Sequence, residues 1–299
     1  MTAQDEMAAQ MAGKDGFIAA LDQSGGSTPH ALRQYGIPDG AYSGDAEMFR
    51  LIQDMRERIV TAPSFTGDKV IGTILFEGTM DSTIQGKPAP SYLWQDRGVV
   101  PFVKVDKGLE PEADEVRLMK PMPGLDTVLD RAAGLGVYGT KMRSVITGAS
   151  RTGIAAVVRQ QFEIGRQIAA HGLMPILEPE VSIGAPDKEA AEEILRDEIH
   201  KQLDALDGTR KLMVKVTVPS VPDLYAPLMA HPRVARVVAL SGGYSRPEAC
   251  RLLALNHGLI ASFSRALIDD LRASMSDAEF DAVLGKAIDV IYQASVIKA

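Results

Sequence analysis

The chain of 299 residues is long enough for one large α/β barrel, and its 45% hydrophobic and 24% charged residues are typical of a soluble globular protein. A formal net charge of −7 argues against nonspecific binding to nucleic acid or to an anionic membrane, and no apolar run approaches the ~20 residues of a membrane span. One cysteine, Cys250, excludes an internal disulfide; with an N-terminus that lacks signal-peptide features, it favours a cytoplasmic location.

Short apolar strands alternate with helices in the first half of the chain. Met48, Ile52 and Met55 recur at helical spacing and predict one of the amphipathic helices. A loop with a short helix is predicted at residues 79–96, and a polar, proline-containing loop at 108–122. The other predicted elements are helices at about 3–13, 45–61, 124–134 and 151–170, and strands at 17–22, 70–76, 99–106 and 137–143.

The same alternation continues to the end of the chain. It predicts strands at 173–178, 211–219, 234–240 and 259–263, and helices at about 188–205, 222–230, 246–256 and within 265–297. Eight strands that alternate with helices indicate a parallel sheet, and we predict a (β/α)₈ TIM barrel with extra N- and C-terminal helices, formed by residues 1–299 as a single domain. The alternative is a doubly wound open sheet. The G-x-G-x-x-G signature that a dinucleotide-binding sheet of this kind carries after its first strand is absent from the sequence.

Strand 211–219 contains a lysine on an otherwise apolar segment. One face of the strand is wholly apolar, and Lys215 lies on the other face near the end of the strand. A buried ammonium is costly unless it is paired, and a buried lysine that loses its proton becomes a nucleophile. A single lysine at a strand end more often points into solvent, so Lys215 needs support from other residues.

Ionisable or hydroxyl side chains also occur at the ends of the other strands. In a barrel of this kind catalytic groups lie at the C-terminal ends of the strands, and alternate residues point inwards. Each residue taken singly has a structural interpretation as a turn, a loop or an ion pair. Their coincidence at strand ends of the same polarity predicts one shared site. The residues are Asp22, Lys104, Asp106, Lys141, Arg143, Glu178, Glu180, Ser241, Ser264 and Arg265.

These side chains permit Schiff-base chemistry. An amine such as that of Lys215 attacks a ketone and forms a protonated Schiff base, which acts as an electron sink. Dehydration of the intermediate needs a general acid, which Glu178 or Glu180 could provide, one protonated and one ionised if they crowd each other. Cleavage of a carbon–carbon bond also needs a base on the adjacent hydroxyl, for which Asp22, Glu178 and Glu180 are candidates.

Two sites for anions can be proposed on either side of the lysine. The run Ser241-Gly242-Gly243 offers backbone N–H groups at a loop-to-helix junction, although such a run is more often a simple turn, and Arg265 adds a bidentate donor. A second anion could bind Ser24, Ser27 and Lys104. Two anion sites flanking a lysine suggest a sugar bisphosphate.

Seven segments in the same order resemble class I fructose-bisphosphate aldolases of the short bacterial branch. The resemblance runs nearly end to end, and each motif is weak by itself. The segments are D-x-S-x-G-S at 22–27 (family D-E-S-T-G-S), V-K-V-D-K-G at 103–108 (I-K-V-D-K-G), T-K-M-R at 140–143 (A-K-W-R), E-P-E at 178–180 (E-P-E), L-M-V-K at 212–215 (L-L-K), L-S-G-G at 240–243 (L-S-G-G) and S-F-S-R-A-L at 262–267 (S-Y-G-R-A-L).

The resemblance implies an aldehyde-lyase of glycolysis and gluconeogenesis that reversibly cleaves fructose 1,6-bisphosphate to dihydroxyacetone phosphate and glyceraldehyde 3-phosphate, without metal or cofactor. It makes Lys215 the Schiff-base lysine and Glu178 the proton donor in dehydration. Glu180 and Lys141 would assist, and Asp22 would act at the C4 hydroxyl.

The same resemblance assigns the phosphate ends and suggests a homo-oligomer, with a dimer as our expectation. Residues for the 1-phosphate would be Ser241, Gly242 and Arg265, and Gly243 and Ser264 are further phosphate-binding candidates, although Ser264 replaces a family glycine. Residues toward the 6-phosphate would be Ser24, Ser27, Lys104 and Arg143.

Three rival interpretations are weaker. A metal-dependent aldolase needs clustered histidines at strand ends, and the predicted positions of His30, His171, His200, His231 and His257 are in loops or helices. Schiff-base barrels of the transaldolase or deoxyribose-phosphate kind share the lysine without this set of motifs. A barrel that binds phosphosugars without turnover would not need Lys215, Glu178 and Asp22 together.

Longer relatives end in a tyrosine that moves a proton, and this sequence ends in Ile297-Lys-Ala299.

Overall fold

Eight parallel strands form a closed barrel in the computed structural model, which describes residues 1–24 and 27–299 and, of Ser27, only the backbone. Each strand pairs with its two neighbours, and the pairings of Ile18 with Ser262 and of Phe102 with Gly139 complete the ring. The predicted (β/α)₈ barrel is therefore confirmed. The strands are β1 Phe17–Leu21, β2 Val70–Leu75, β3 Val100–Lys104, β4 Gly139–Ile146, β5 Met174–Val181, β6 Leu212–Thr217, β7 Val234–Leu240 and β8 Ile260–Phe263.

Helices surround the barrel and also extend the chain at both ends. The first and last helices begin with capping boxes, in which Thr2 exchanges hydrogen bonds with Asp5, and Ser276 with Glu279. No helix among the described residues is long and apolar enough to cross a membrane. The helices are α1 Ala3–Gly13, α2 Ser27–Gln34, α3 Gly44–Thr61, α4 Glu77–Met80, α5 Ala89–Arg97, α6 Leu125–Gly134, α7 Arg151–Ala170, α8 Lys188–Asp204, α9 Ala226–Met229, α10 Arg246–Ala254, α11 Arg265–Ile268 and α12 Asp277–Val296, with a 3₁₀ turn at Asp39–Ala41.

The interior of the barrel is layered from apolar to charged. Met7 and Met11 of α1 belong to an apolar cluster inside the barrel, with inward-facing residues of the strands such as Ile176 and Met213. Because side chains alternate along a strand, the next inward positions are Glu178 and Lys215. The barrel therefore places its charged side chains above a buried apolar layer, at the C-terminal ends of the strands.

Two barrel strands run further than the sequence pattern predicts. β4 continues to Ile146 and β5 to Val181, so that Glu180 lies within a strand. The cause is extra pairing, because a two-residue strand, Val116–Arg117, adds antiparallel to β4. The segment predicted as a polar loop at 108–122 therefore contains a short strand as well.

Smaller differences arise where backbone conformation interrupts a pattern. The helix predicted at 222–230 is limited to α9, and Asp223 before it has a φ of 60°. Within 79–96, the strands Thr83–Ile84 and Lys87–Pro88 form a hairpin. Its turn residues, Gln85 and Gly86, both have positive φ, as a tight two-residue turn requires.

Candidate active site

A cavity of about 910 Å³ opens at the C-terminal ends of the strands. It brings together most of the residues that the sequence predicts as a site. Those that line it are Asp22, Ser24, Lys104, Asp106, Lys141, Arg143, Glu178, Glu180, Lys215, Ser241, Gly242, Ser264 and Arg265. Gly243 is adjacent to the lining residue Gly242. The predicted Ser27 side chain and the glycines of the 22–27 motif lie outside the described residues.

Four buried charged groups form a continuous chain of contacts at the base of this cavity. Nζ of Lys215 lies 2.9 Å from Oε1 of Glu178, and Oε2 of Glu178 lies 2.9 Å from Nζ of Lys141. The same Nζ of Lys141 lies 2.6 Å from Oδ2 of Asp22. Each of the four residues is less than 10% exposed. Two acids and two amines balance, which is how charges are tolerated at this depth.

Barrel register explains why these side chains meet. Met213 of β6 pairs with Ile176 of β5, so Lys215 and Glu178 each lie two residues further along adjacent strands. Lys141 of β4 also pairs with Ile176, which places its side chain in the same inward row. Since inward-facing positions recur every second residue, Lys141 points inwards one position before Glu178, and the two side chains meet across adjacent strands.

The pKa values of the two acids follow from this environment. Burial alone would raise the pKa of Asp22, but the ammonium groups of Lys141 and Lys215 outweigh it and lower that pKa to about 2. Burial would likewise raise the pKa of Glu178, and the same two lysines lower it below its ordinary value. For Lys141, burial favours a lower pKa, but Asp22 and Glu178 hold it above the ordinary range. The acids are therefore ionised at neutral pH.

Glu178 and Glu180 do not share a proton by crowding, which the sequence had suggested as one arrangement. Glu180 accepts a hydrogen bond from Nε of Arg143 at 2.5 Å, whereas Glu178 contacts the two lysines. The reason is that each glutamate has a different cation as its neighbour on β4 or β6. Burial alone would lower the pKa of Arg143, but Glu180 and other acids raise it above its ordinary value.

A second internal ion pair lies on β3 and the loop after it. Nζ of Lys104 lies 2.8 Å from Oδ1 of Asp106 and also donates to the backbone carbonyl of Asp106 at 2.7 Å. Both side chains are largely buried. The strand predicted at 99–106 therefore ends at Lys104, and Asp106 contacts it from the loop that follows.

The loops after β7 and β8 form the opposite side of the cavity. Gly242 has a φ of +62°, and a Cβ there would lie 2.7 Å from Cγ2 of Ile183, so the turn needs glycine. A Cβ on Gly243 would lie 3.4 Å from Nη2 of Arg265, which places that guanidinium beside the turn. Ser241 is 6% exposed. The arrangement combines backbone N–H groups with a guanidinium, as an anion site requires.

Ser264 has a role in joining β8 to the loop after β1. Its hydroxyl oxygen accepts a hydrogen bond from Nε2 of Gln23 at 2.7 Å. The backbone carbonyl of Gln23 in turn accepts from Arg56, a residue of α3 that is only 2% exposed. Arg56 also donates to Oγ1 of Thr79 at 3.2 Å. These contacts tie the loop that follows Asp22 to the barrel wall.

Sequence reasoning missed several residues at this site. Arg117, His30 and Gln34 line the cavity without having been predicted, because the sequence pattern revealed neither the two-residue strand Val116–Arg117 nor helix α2. Arg56 had a usable signal: it follows Ile52 by four residues, so a charged residue interrupts the apolar stripe of α3. Burial lowers the pKa of Arg56 to about 10.

The histidines occupy other parts of the molecule, apart from His30. His171 contacts Asp126 and Asp130, and His257 contacts Asp223. Within residues 1–24 and 27–299, no group of three or more histidine, cysteine, aspartate or glutamate side chains is arranged to hold a metal ion. The side chains that do converge are amines and carboxylates, which suit imine formation and proton transfer.

Comparisons with known proteins agree with this geometry. A family described as "Glycolytic: Fructose-bisphosphate aldolase class-I" matches residues 5–213. A protein of Porphyromonas gingivalis called "Fructose-bisphosphate aldolase class 1" is 53% identical over 291 residues, covering 97% of this chain and 99% of that protein. The family match ends two residues before Lys215, whereas the relative extends over nearly all of the chain.

A solved structure supports the fold independently. The fructose-bisphosphate aldolase of Plasmodium falciparum, determined with TRAP and a small-molecule inhibitor, superposes with a TM-score of 0.72 at 21% identity, covering 98% of this chain and 94% of the other. At this identity the likeness concerns the barrel architecture. The predictions of the family, of carbon–carbon lyase activity and of metal-free Schiff-base chemistry, which is characteristic of class I, are confirmed by the family and relative matches. The chain belongs to the class I fructose-bisphosphate aldolase family.

Proposed function

We propose that this chain cleaves fructose 1,6-bisphosphate reversibly through a Schiff base on Lys215. The observation that carries the assignment is the buried contact chain of Lys215, Glu178, Lys141 and Asp22 at the C-terminal ends of β6, β5 and β4 and just after β1. A lysine in contact with a carboxylate can pass its proton to that carboxylate and attack a ketone. The products are dihydroxyacetone phosphate and glyceraldehyde 3-phosphate.

In the first stage Lys215 replaces the ketone oxygen at C2. Glu178 takes a proton from the Lys215 ammonium across their 2.9 Å contact, and the amine then adds to C2 to form a carbinolamine. Glu178 returns a proton to the C2 hydroxyl, which leaves as water, and a protonated Schiff base remains. Lys141, held between Asp22 and Glu178, keeps both carboxylates in place during these transfers.

In the second stage the C3–C4 bond breaks. Asp22 remains ionised at neutral pH and accepts the proton of the C4 hydroxyl, while the bonding electrons move into the C2–N iminium and give an enamine. Glyceraldehyde 3-phosphate leaves as the aldehyde. The proton that Asp22 took up returns through solvent to C3 of the enamine, and addition of water at C2 then releases dihydroxyacetone phosphate and restores both Lys215 and the Asp22 carboxylate. Glu180 lies two residues after Glu178 on β5 and is held by Arg143. We assign it an assisting role in these proton transfers.

The cavity walls suit the two phosphates. For the 1-phosphate we assign Ser241, Gly242, Gly243, Ser264 and Arg265 after β7 and β8. For the 6-phosphate end we assign Ser24, Ser27, Lys104 and Arg143, as the resemblance implies. Lys104 and Arg143 lie on β3 and β4, whereas Arg265 follows β8, so the strand order separates these cations around the ring, as a substrate with an anion at each end requires.

We further propose that residues 1–299 act as one catalytic domain, in the cytoplasm, and as a homo-oligomer for which a dimer is our choice. The lone cysteine, Cys250, supports a reducing compartment. Size-exclusion chromatography with light scattering measures the oligomer directly, and a monomer at micromolar concentration would contradict the proposal.

Borohydride trapping tests the central assignment. Incubation with dihydroxyacetone phosphate and borohydride should give a stable adduct on Lys215, unaffected by EDTA, which peptide mapping locates. Lys215→Met should abolish the adduct and lower kcat by about 10⁴-fold or more. Lys211→Met, at an exposed position just before β6, is the matched control and should behave as wild type. An adduct on another lysine, or none, would sink the assignment.

A further inference from the structure

The cations that line the cavity fall into two groups. Lys104, Lys141, Arg143 and Lys215 each contact a carboxylate within 3 Å. Their charge is therefore largely neutralised from within. Among the residues that the structure describes, the arginines and lysines lining the cavity without a carboxylate contact are Arg117 and Arg265. A cation without a carboxylate partner attracts a phosphate more strongly than one whose charge is already paired.

Arg117 reaches the cavity through antiparallel pairing with β4. It pairs with Val145, and directly paired residues of an antiparallel ladder point to the same side of the sheet. Val145 shares its inward face with Arg143 and Lys141, since these positions are two residues apart. Arg117 therefore lies at the level of Val145, about 7 Å further toward the mouth than Arg143, given the rise of a strand.

The two unpaired guanidiniums lie on opposite sides of the barrel. Arg117 is attached to β4, and Arg265 directly follows the loop after β8, which is four strands away in a ring of eight. Lys215 lies on β6, two strands from each. A ligand that places its carbonyl at Lys215 thus has one free guanidinium on either side.

Local contacts hold Arg117 in place through its Nε, and its terminal nitrogens have no partner among the described residues. Its Nε donates to the backbone carbonyl of Glu110 at 3.1 Å, so the two terminal nitrogens are not used by that bond. The backbone N–H of Thr147 donates to the carbonyl of Glu115 at 2.8 Å, and Oγ of Ser150 donates to Oδ1 of Asp114 at 2.7 Å. These bonds fasten the tip of the segment to β4 and α7. A planar guanidinium presented in this way suits two phosphate oxygens at once.

We propose that Arg117 binds the 6-phosphate of the substrate and sets the preference for a bisphosphate over a 1-phosphate. The proposal rests on the proposed function and adds a residue that none of the sequence motifs contains. Lys104 and Arg143, which are paired with Asp106 and Glu180, then shape that end of the site. Arg117 supplies the uncompensated charge.

The test compares two substrates that differ only at C6. For Arg117→Gln, kcat/KM with fructose 1,6-bisphosphate should fall about 10- to 100-fold, mainly through KM, while kcat/KM with fructose 1-phosphate stays within twofold. Arg117→Lys keeps the positive charge but loses the planar guanidinium. Its kcat/KM with fructose 1,6-bisphosphate should lie between the values of wild type and Arg117→Gln. Lys120→Gln, an exposed cation on the same segment outside the cavity, should match wild type with both substrates.

The outcomes separate this inference from the proposed function. Borohydride trapping with dihydroxyacetone phosphate, which has no 6-phosphate, should be unchanged in Arg117→Gln. If the ratio of kcat/KM for fructose 1,6-bisphosphate to kcat/KM for fructose 1-phosphate were the same in Arg117→Gln and wild type, the role of Arg117 would be overturned. The assignment of Lys215 would stand. If the wild type showed neither adduct nor cleavage, calorimetric titration would still test the inference. Arg117→Gln should then raise the Kd of fructose 1,6-bisphosphate more than that of fructose 1-phosphate, and equal changes in the two Kd values would overturn it.

Discussion

A single carboxylate, that of Glu178, bridges Lys215 and Lys141, with each ammonium nitrogen 2.9 Å from one of its two oxygens. Since all three groups are almost fully buried, the carboxylate interacts with two positive charges and lies within reach of a proton on Nζ of Lys215. Structural and chemical demands therefore fall on the same side chain.

Glu178→Gln should lower kcat by about 10²- to 10³-fold, because an amide cannot relay a proton to or from Lys215. The rate at which the borohydride-trapped adduct forms should fall in parallel. Mass spectrometry of samples quenched at successive times measures this rate. Glu193→Gln, at an exposed position on α8, is the control. A kcat within twofold of wild type would remove Glu178 from the proton path.

Asp22 should link stability to pH at the acid end. Its pKa of about 2 lies below the ~3.9 of an unfolded chain, so the unfolded state binds the proton more tightly and acid favours unfolding. The contribution, on the order of 2 kcal/mol, is complete above about pH 5 and is lost progressively as the pH falls toward 2.

Urea titrations from pH 7 to pH 2 check this linkage. Asp22→Asn should be less stable than wild type at pH 7, and the difference in the free energy of unfolding should shrink as the pH approaches 2. Asp207→Asn, at an exposed loop position, should show no such convergence. A pH-independent difference would refute the ionised, ion-paired state of Asp22.

Gly153→Ala should disturb the segment that carries Arg117. A Cβ at Gly153 would lie 2.2 Å from the carbonyl oxygen of Asp114 and 2.9 Å from Cγ1 of Val116, so the segment must move. We expect a loss of about 1–3 kcal/mol in the free energy of unfolding, by overpacking. The KM for fructose 1,6-bisphosphate should rise more than that for fructose 1-phosphate.

Gly134→Ala provides the comparison, since a Cβ at that helix position meets nothing within 4 Å. It should leave both KM values unchanged and stability equal or slightly higher. Thermal melts and substrate saturation curves measure both variants. If Gly153→Ala left stability and both KM values unchanged, the close packing against the Arg117 segment would be refuted.

Lys298→Met should affect stability without affecting catalysis. The Lys298 ammonium donates to the backbone carbonyls of Leu259 at 2.6 Å and of Ala294 at 2.9 Å, and the N–H of Ala299 donates to Ala254 at 2.9 Å. Residues 298–299 are thus fastened against α10 and the end of α12. Loss of these ammonium bonds should cost about 1–2 kcal/mol of stability, seen as a lower Tm.

The kcat of Lys298→Met should remain within twofold of wild type, because these contacts lie outside the cavity. Lys286→Met, at an exposed position on α12, controls for the loss of a surface charge and should change neither quantity. A large fall in kcat without a fall in Tm would instead indicate a catalytic role for this segment.

The sequence by itself determined the barrel and the level of its charged layer. Strand alternation is a local property: in β6, the step from Met213 to Lys215 already states which residues share a face. Order along the chain then placed Lys141, Glu178 and Lys215 at successive strand ends. The family followed from the same segments, because each motif is short and continuous.

Tertiary structure alone decided the partners of each charge. Whether Glu178 pairs with Glu180, with Arg143 or with two lysines depends on strand register around a closed ring, which no single strand encodes. Arg117 enters the cavity only because residues 116–117 add antiparallel to β4, a contact between segments about thirty residues apart. Packing between distant segments, rather than local pattern, therefore determines which cations in the cavity contact a carboxylate and which do not.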